Sequence, residues 1–191
     1  MKFKLEQAGK FKLRYDGNKL ISPAFIIPTV YNDDRGYFKE SFRENELEEL
    51  TGRKFVQDNV SRSHIHVLRG LHGDYNVAKL IQLLSGLTYH VIIDANENSL
   101  TYMQYDRFLM NPDEHKMLFV PEGWGNGMFV LQGDVILHYK QTNYHSSETE
   151  FQIDYFDSVL NLPWPDEVRN NPSPTIMSAK DIIGPFMDFK K

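Results

Sequence analysis

The chain of 191 residues contains no cysteine. Disulfides, thiolate metal ligands and a cysteine nucleophile are therefore excluded, and a reducing compartment suits such a chain. No segment approaches the roughly 20 consecutive apolar residues of a membrane span. The first residues, MKFKLEQAGKFKLRYDG, are charged throughout and lack the apolar core of a secretion signal. A cytoplasmic location without membrane contact is expected. Positive charge is also in short supply: 21 Lys and Arg stand against 26 Asp and Glu, a formal net charge of −5. A nucleic-acid binder normally carries a basic surface, so no nucleic-acid partner is expected, although a local cation cluster can still hold a phosphate. What the chain has in quantity is core material, 41% hydrophobic and 13% aromatic. Its length suits one domain.

Short apolar stretches recur with turn signals between them. Residues 1–22 alternate weakly and would form two edge strands joined by a turn. Phe25-Ile26-Ile27-Pro28 reads as a strand, and Asn32 to Gly36 is a dense turn signal. Glu44 to Leu50 favours a short helix ended by Gly52. In FVQDNVSRS, Phe55, Gln57 and Asn59 fall on one face of a strand, Val56 and Asp58 on the other. KLIQLLSGLTYHVIIDAN reads as two strands hinged at Ser85-Gly86. YMQYDRFLM is another strand, Asn111 to Glu114 a turn, and KMLFVPEGWGNGMFVL a strand pair around a glycine-rich bend. Gly133-Asp134 reads as a tight turn into VILHYKQTNY. From Phe151 onward Pro163, Pro165, Pro172 and Pro174 deny long regular elements, leaving a wrapping tail that includes SAKD. This pattern gives an all-β sandwich or barrel, with a core over about 25–160 and a proline-rich wrap over 161–191.

The stretch Val67 to Lys79, VLRGLHGDYNVAK, concentrates Arg69, His72 and Lys79 beside apolar neighbours. Clustered cationic and titratable groups need an anionic partner or a chemical task. Arg69 and Lys79 are suited to hold an anionic substrate, and an imidazole such as His72 to take a proton from carbon near neutrality. Gly70 and Gly73 would break the strand and let Arg69 and His72 both turn inward despite their odd spacing.

RGYF with its ES, FVQDN, SRS, VLRGLH, Lys79, VPEGWGNG, HYKQTNY and SAKD occur in the order seen in the nucleotide-sugar 3,5-epimerases, and the chain resembles that family from about Arg35 to about Pro185. The resemblance implies a cupin-type jelly roll, a homodimer with no metal or organic cofactor, and a nucleoside-diphosphate 4-keto-6-deoxy sugar as substrate for surface-polysaccharide sugar synthesis. It implies epimerisation at C3 and/or C5 by proton removal and redelivery. That chemistry needs a base, an acid on the opposite face of the sugar, an enolate stabiliser and a diphosphate clamp. By the resemblance His72 is the base, Asp181 of SAKD its orienting carboxylate, Tyr139 the acid and Lys79 the cation near the ketone. Arg35, Glu40, Gln57, Asn59 and Arg69 fall at nucleotide and diphosphate positions. Phe38 and Tyr144 would pack on base or sugar. Glu150 and Lys180 fall at further binding positions.

Two departures concern the substrate. GDYNVA separates His72 from Lys79, and Asn126 stands in the PEG loop where the rhamnose enzymes usually carry a histidine. Variants of this texture resemble epimerases of other nucleotide-linked 4-keto sugars, GDP-linked heptoses among them. The alternative functions are a non-catalytic sugar-nucleotide-binding cupin and a metal-dependent cupin enzyme. His64-Ile65-His66 has the His-x-His form of metal cupins, but the later ligand would fall at Asn126, so no metal is expected.

Overall fold

In the computed structural model, which describes residues 2–169, 176–183, 186, 187 and 189, the regular structure is mostly strand, with a few short helices. The N-terminal strands are β1 (Phe3–Gln7), β2 (Tyr15–Asp16), β3 (Lys19–Leu20), β4 (Ala24–Pro28), β5 (Val30–Asp33) and β6 (Gly36–Lys39). Helix α1 (Glu44–Thr51) follows, then β7 (Gln57–Ser63), β8 (Leu68–Asp74), β9 (Lys79–Asp94), β10 (Tyr105–Met110), β11 (Met117–Val120), β12 (Trp124–Gln141) and β13 (Glu150–Gln152). Two short helices, α2 (Asp166–Arg169) and α3 (Ala179–Ile183), lie in the tail.

The main sheet runs β1-β4-β11-β9-β12-β8-β13, with β10 on β9 and β7 on β12. All its pairs are antiparallel. The long strands β9 and β12 are its spine. They pair from Lys79↔Gln141 to Asp94↔Trp124, and the register shifts midway. There Gly86 (φ +78) and Gly133 (φ +67) adopt the left-handed conformation, which glycine reaches without a Cβ penalty. The two strands therefore kink together and curve the sheet.

This kink corrects two sequence expectations. Gly133-Asp134 does not turn the chain back but forms a bulge within β12, and Ser85-Gly86 bends one continuous strand. The N-terminal segment also differs: β1 joins the main sheet through β4, and β2 pairs with β3 as a separate ribbon. The helix ends as expected, with Gly52 at φ +70 donating its N–H to the Glu48 carbonyl. Asn111 to Glu114 closes as a single 3₁₀ turn.

Strand parity puts one face of the spine inside. Ile81, Leu83, Ile92, Met128, Val130, Val135 and Leu137 form one apolar cluster, with Tyr139 packed against it. The opposite face would be exposed but for the tail. Leu160, Leu162, Trp164, Val168 and Phe189 cover Leu68, Leu71, Val91, Ile93 and Phe129. Each fully buried aliphatic side chain of this kind stabilises the fold by about 1.5–3 kcal/mol. Pro163 and Pro165 lie in this cover without long elements around them; Pro172 and Pro174 fall outside the described residues.

Gly73 marks where the edge of the sheet is tightest. A Cβ there would run into the Phe151 ring on β13 and the Trp124 carbonyl on β12. Gly73→Ala is expected to destabilise the protein by about 1–3 kcal/mol, seen as a lower urea midpoint at unchanged slope. An unchanged midpoint would mean the β13 edge gives way freely.

Candidate active site

β8 lies between β12 and β13, so His72 stands opposite Asn126 on one side and Gln152 on the other. Gly70 (φ +105) and the register shift between Asn126 and Met128 make a bulge, which re-aims side chains. Arg69 and His72 consequently face one cavity although only Gly70 and Leu71 lie between them. That cavity, of about 490 Å³, falls within the usual range for small-ligand sites. Lys79 reaches it from the start of β9, Tyr139 from the far half of β12, and Gln57 and Asn59 from β7. Glu150 of β13 and Lys180 and Asp181 of α3 complete that part of the lining. A larger recess of about 800 Å³ lies beside Arg14, Arg53 and Glu122. Arg53 is paired there with Glu122 and Arg14 with Asp94, and no histidine lines it.

Asp181 arrives by way of the tail. Ile176 bonds to the backbone beside His66 and Leu68, and Met187 donates to the Gln152 carbonyl. α3 is held between these two points. Ser178 caps it, accepting from the Asp181 N–H at 3.2 Å and donating its hydroxyl to Asp181 Oδ2 at 2.6 Å. The other oxygen, Oδ1, lies 2.8 Å from His72 Nε2, in a bent rather than in-line approach. Asp181 is only 4% exposed, so it is a buried carboxylate rather than an exposed helix cap. Burial by itself would raise its pKa, but the His72 and Ser178 contacts and the Gly70 backbone hold it below the ordinary carboxylate range.

The Gln152 side-chain nitrogen lies 2.9 Å from the same His72 Nε2. An amide donor and a carboxylate ask that nitrogen for opposite things, a lone pair and a proton. The charged partner asks the more strongly, which favours a proton on Nε2. Gln152 was not singled out in the sequence; it sits in an edge strand of three residues, too short for alternation to show.

The remaining groups set the field. Burial is the main influence on Lys79 and lowers its pKa, while Glu150 and Asp74 oppose that. Burial would raise the pKa of Glu150, but its ion pair with Lys180, together with His72 and Lys79, holds it down. Burial raises the Tyr139 pKa, with Arg69 pulling against it and Glu150 adding to it. Tyr139 is thereby kept as a protonated phenol. Arg69 donates to Ser63 Oγ at 2.8 Å. Asn59 links Gln57 to Gln141 through bonds of 3.1 and 3.0 Å.

The single chain leaves four of the sequence candidates outside the cavity. Arg35 and Phe38 lie on the β5–β6 hairpin, a two-stranded sheet of its own, and Arg35 is engaged by Asp33 at 2.6 Å. Glu40 pairs with Arg43 at 3.0 Å. Tyr144 is 71% exposed, whereas its neighbour His145 lines the cavity and donates its backbone N–H to Gln57. His90 also lines it; its parity with Thr88 and Ile92 could have shown that it faces inward. His64 is taken by Asp134 at 3.1 Å, and among the described residues no cluster of three or more His, Asp or Glu side chains is placed to hold a metal ion.

A carboxylate whose pKa is depressed in the folded state adds stability above its unfolded pKa, and that stability disappears as pH falls through the folded value. Asp181→Asn should therefore cost about 1.5–3 kcal/mol at pH 7, the worth of hydrogen bonds to a charged group. The difference from wild type should shrink as the pH falls below the ordinary carboxylate range. Urea midpoints of both proteins at neutral and acid pH check this, and a gap independent of pH would contradict it.

A family model described as dTDP-4-dehydrorhamnose 3,5-epimerase matches residues 19–188. The enzyme of that name from Escherichia coli is 36% identical over 161 residues, 82% of this chain and 84% of that protein. The crystal structure of the Elizabethkingia anophelis enzyme of that name superposes with a TM-score of 0.79 at 34% identity, covering 98% of this chain and 97% of that one. A Legionella pneumophila dTDP-6-deoxy-D-glucose-3,5-epimerase in complex with dTDP-4-keto-L-rhamnose gives 0.78 at 32% identity, covering 94% and 90%. The all-β fold is thus a cupin-like jelly roll, and the protein is an isomerase that works on nucleotide sugars. It belongs to the dTDP-4-dehydrorhamnose 3,5-epimerase family.

Proposed function

We propose that the protein epimerises a dTDP-linked 4-keto-6-deoxy hexose at C3 and/or C5 without a cofactor, in the cytoplasm and as a homodimer. The observation that carries this reading is the contact of His72 with Asp181 in the cavity that Tyr139 and Lys79 also line. The relatives reported above are named for dTDP sugars, which favours dTDP over the GDP-linked heptose considered from the sequence. Solvent-facing aromatics on the β5–β6 hairpin, Tyr31, Tyr37 and Phe38, support burial of that hairpin in a dimer. Among the described residues no helix is long and apolar enough to cross a membrane.

The His72 imidazole takes the proton from the carbon next to the ketone. Asp181 fixes the tautomer and stabilises the imidazolium that forms. Lys79, an ammonium in a sheltered site, offsets the negative charge that develops on the enolate oxygen. Tyr139 Oη delivers a proton to the opposite face, which inverts the carbon; the phenolate it becomes is then reprotonated from solvent while the His72 imidazolium gives up its proton to solvent. Arg69 holds the diphosphate through its planar fork. Gln57, Asn59, Asn126, Glu150 and Lys180 take the polar groups of nucleotide and sugar. Arg35, Phe38, Glu40 and Tyr144 contribute to nucleotide binding only where another element or subunit brings them to a site.

The test is dTDP-4-keto-6-deoxyglucose in deuterium oxide, followed by NMR at C3 and C5. Wild type should exchange and invert. His72→Asn should lose turnover by about 10²–10⁴-fold, the usual worth of a general base, with an unchanged circular dichroism spectrum. Full activity in that variant would reject His72 as base. Tyr139→Phe should still exchange deuterium but lose inversion, because the base survives without the opposite acid; unaffected inversion would assign the acid elsewhere. Binding without exchange by wild type would leave a non-catalytic sugar-nucleotide cupin.

A further inference from the structure

The cavity wall holds a fully buried histidine, His90, to which the reaction above gives no task. His90 lies on β9 directly opposite Met128 of β12. Asn126 is two residues along from Met128 and therefore on the same face, within reach of a diagonal neighbour. His90 is fully buried yet lines the cavity. Its Nδ1 lies 3.0 Å from Thr88 Oγ1, and its ring lies parallel to Phe108 at 6.2 Å between centroids. Those two contacts fix the ring. Nε2 is buried and has no hydrogen-bond partner among the described residues.

A buried polar atom left unpaired costs about 1–3 kcal/mol, and native proteins hold few of them without a reason. Burial pushes the His90 pKa down to about 3, so the ring is neutral at any working pH. It brings no charge for a phosphate, and Arg69, Lys79 and Lys180 already supply cations elsewhere in the lining. Ile81, Met128 and Leu137 make other parts of the wall apolar. A single neutral hydrogen-bonding atom in such a setting fits an uncharged oxygen.

We propose that His90 is a specificity residue of the sugar subsite, its Nε2 completing a hydrogen bond with an uncharged oxygen of the bound hexose while Thr88 holds the ring in place. The proposal rests on the nucleotide-sugar reading of the cavity. It gives this neutral residue a function distinct from those of the cations: Arg69 holds the diphosphate, Lys79 offsets the enolate charge, and His90 selects the sugar.

Calorimetric titration with two probes, dTDP and dTDP-4-keto-6-deoxyglucose, tests it. His90→Phe should weaken the sugar nucleotide about tenfold or more, the effect of leaving one polar contact unmade, and leave dTDP unchanged. His90→Gln, whose amide can reach the place of Nε2, should recover most of the loss. If His90→Phe does not fold, His90→Met, apolar and adaptable, replaces it in the same comparison. A variant that keeps the wild-type ratio of the two affinities overturns the proposal, as does equal loss of both ligands, which would mark a purely structural histidine. A wild type that binds both probes alike overturns it too. Failure of the catalytic reading shows separately, as wild type that binds the sugar nucleotide without exchanging deuterium, and leaves the ratio to decide the role of His90.

Discussion

The site depends on one bridging contact, between an imidazole on β8 and a carboxylate on the tail helix. His72 and Asp181 are 109 residues apart in sequence (181 − 72) and 2.8 Å apart in space. Their meeting requires that the tail be clipped to the sheet at Ile176 and at Met187. It also requires the apolar cover of Trp164, Leu162 and Val168, which hold the segment leading to it against the outer face of the spine. Desolvation alone would disfavour a buried carboxylate. Ser178 and the His72 ring compensate, so the same contacts that keep Asp181 ionised also aim the imidazole. Stability and chemistry share these atoms.

The cavity has a graded polarity. Lys79, Lys180 and Arg69 contribute positive charge, and Glu150 and Asp181 temper it. His90, Asn126 and the Gln57–Asn59–Gln141 chain are uncharged. A nucleoside diphosphate sugar has the matching character, an anionic middle and a neutral polyhydroxyl end. The kinked spine makes this arrangement possible, because Tyr139 and Asn126 lie on one strand, β12, yet line one cavity from either side of the bend at Gly133.

Much of this was legible in the sequence, and the exceptions have physical causes. Alternation in FVQDNVSRS put Gln57 and Asn59 on one face of a strand, and that face turns out to line the cavity. Gly70 explained how Arg69 and His72 come to share a cavity. The Gly133-Asp134 dipeptide misled because a hairpin and a bulge use the same residues, and only the long partner strand β9 decides between them. Gln152 and His90 left little local signal: one sits in a three-residue edge strand, and the other is a single polar residue within an apolar run. Arg35, Phe38 and Glu40 carry family-like motifs, but their hairpin pairs only with itself, so the chain alone does not bring them to the cavity. The burial of Asp181 was the least readable feature, because it depends on the tail's docking and not on any pattern near SAKD.

The central claim is that a hexose ring is held between His72 and Tyr139, and a crystal structure of the protein with a bound dTDP-linked sugar tests it most directly. The account predicts the ring inside the cavity, with the His72 imidazole on one face and Tyr139 Oη on the other, each within about 3–3.5 Å of a ring carbon or its hydrogen-bonding substituent. A ring bound outside that space, or with both groups on the same face, would contradict it.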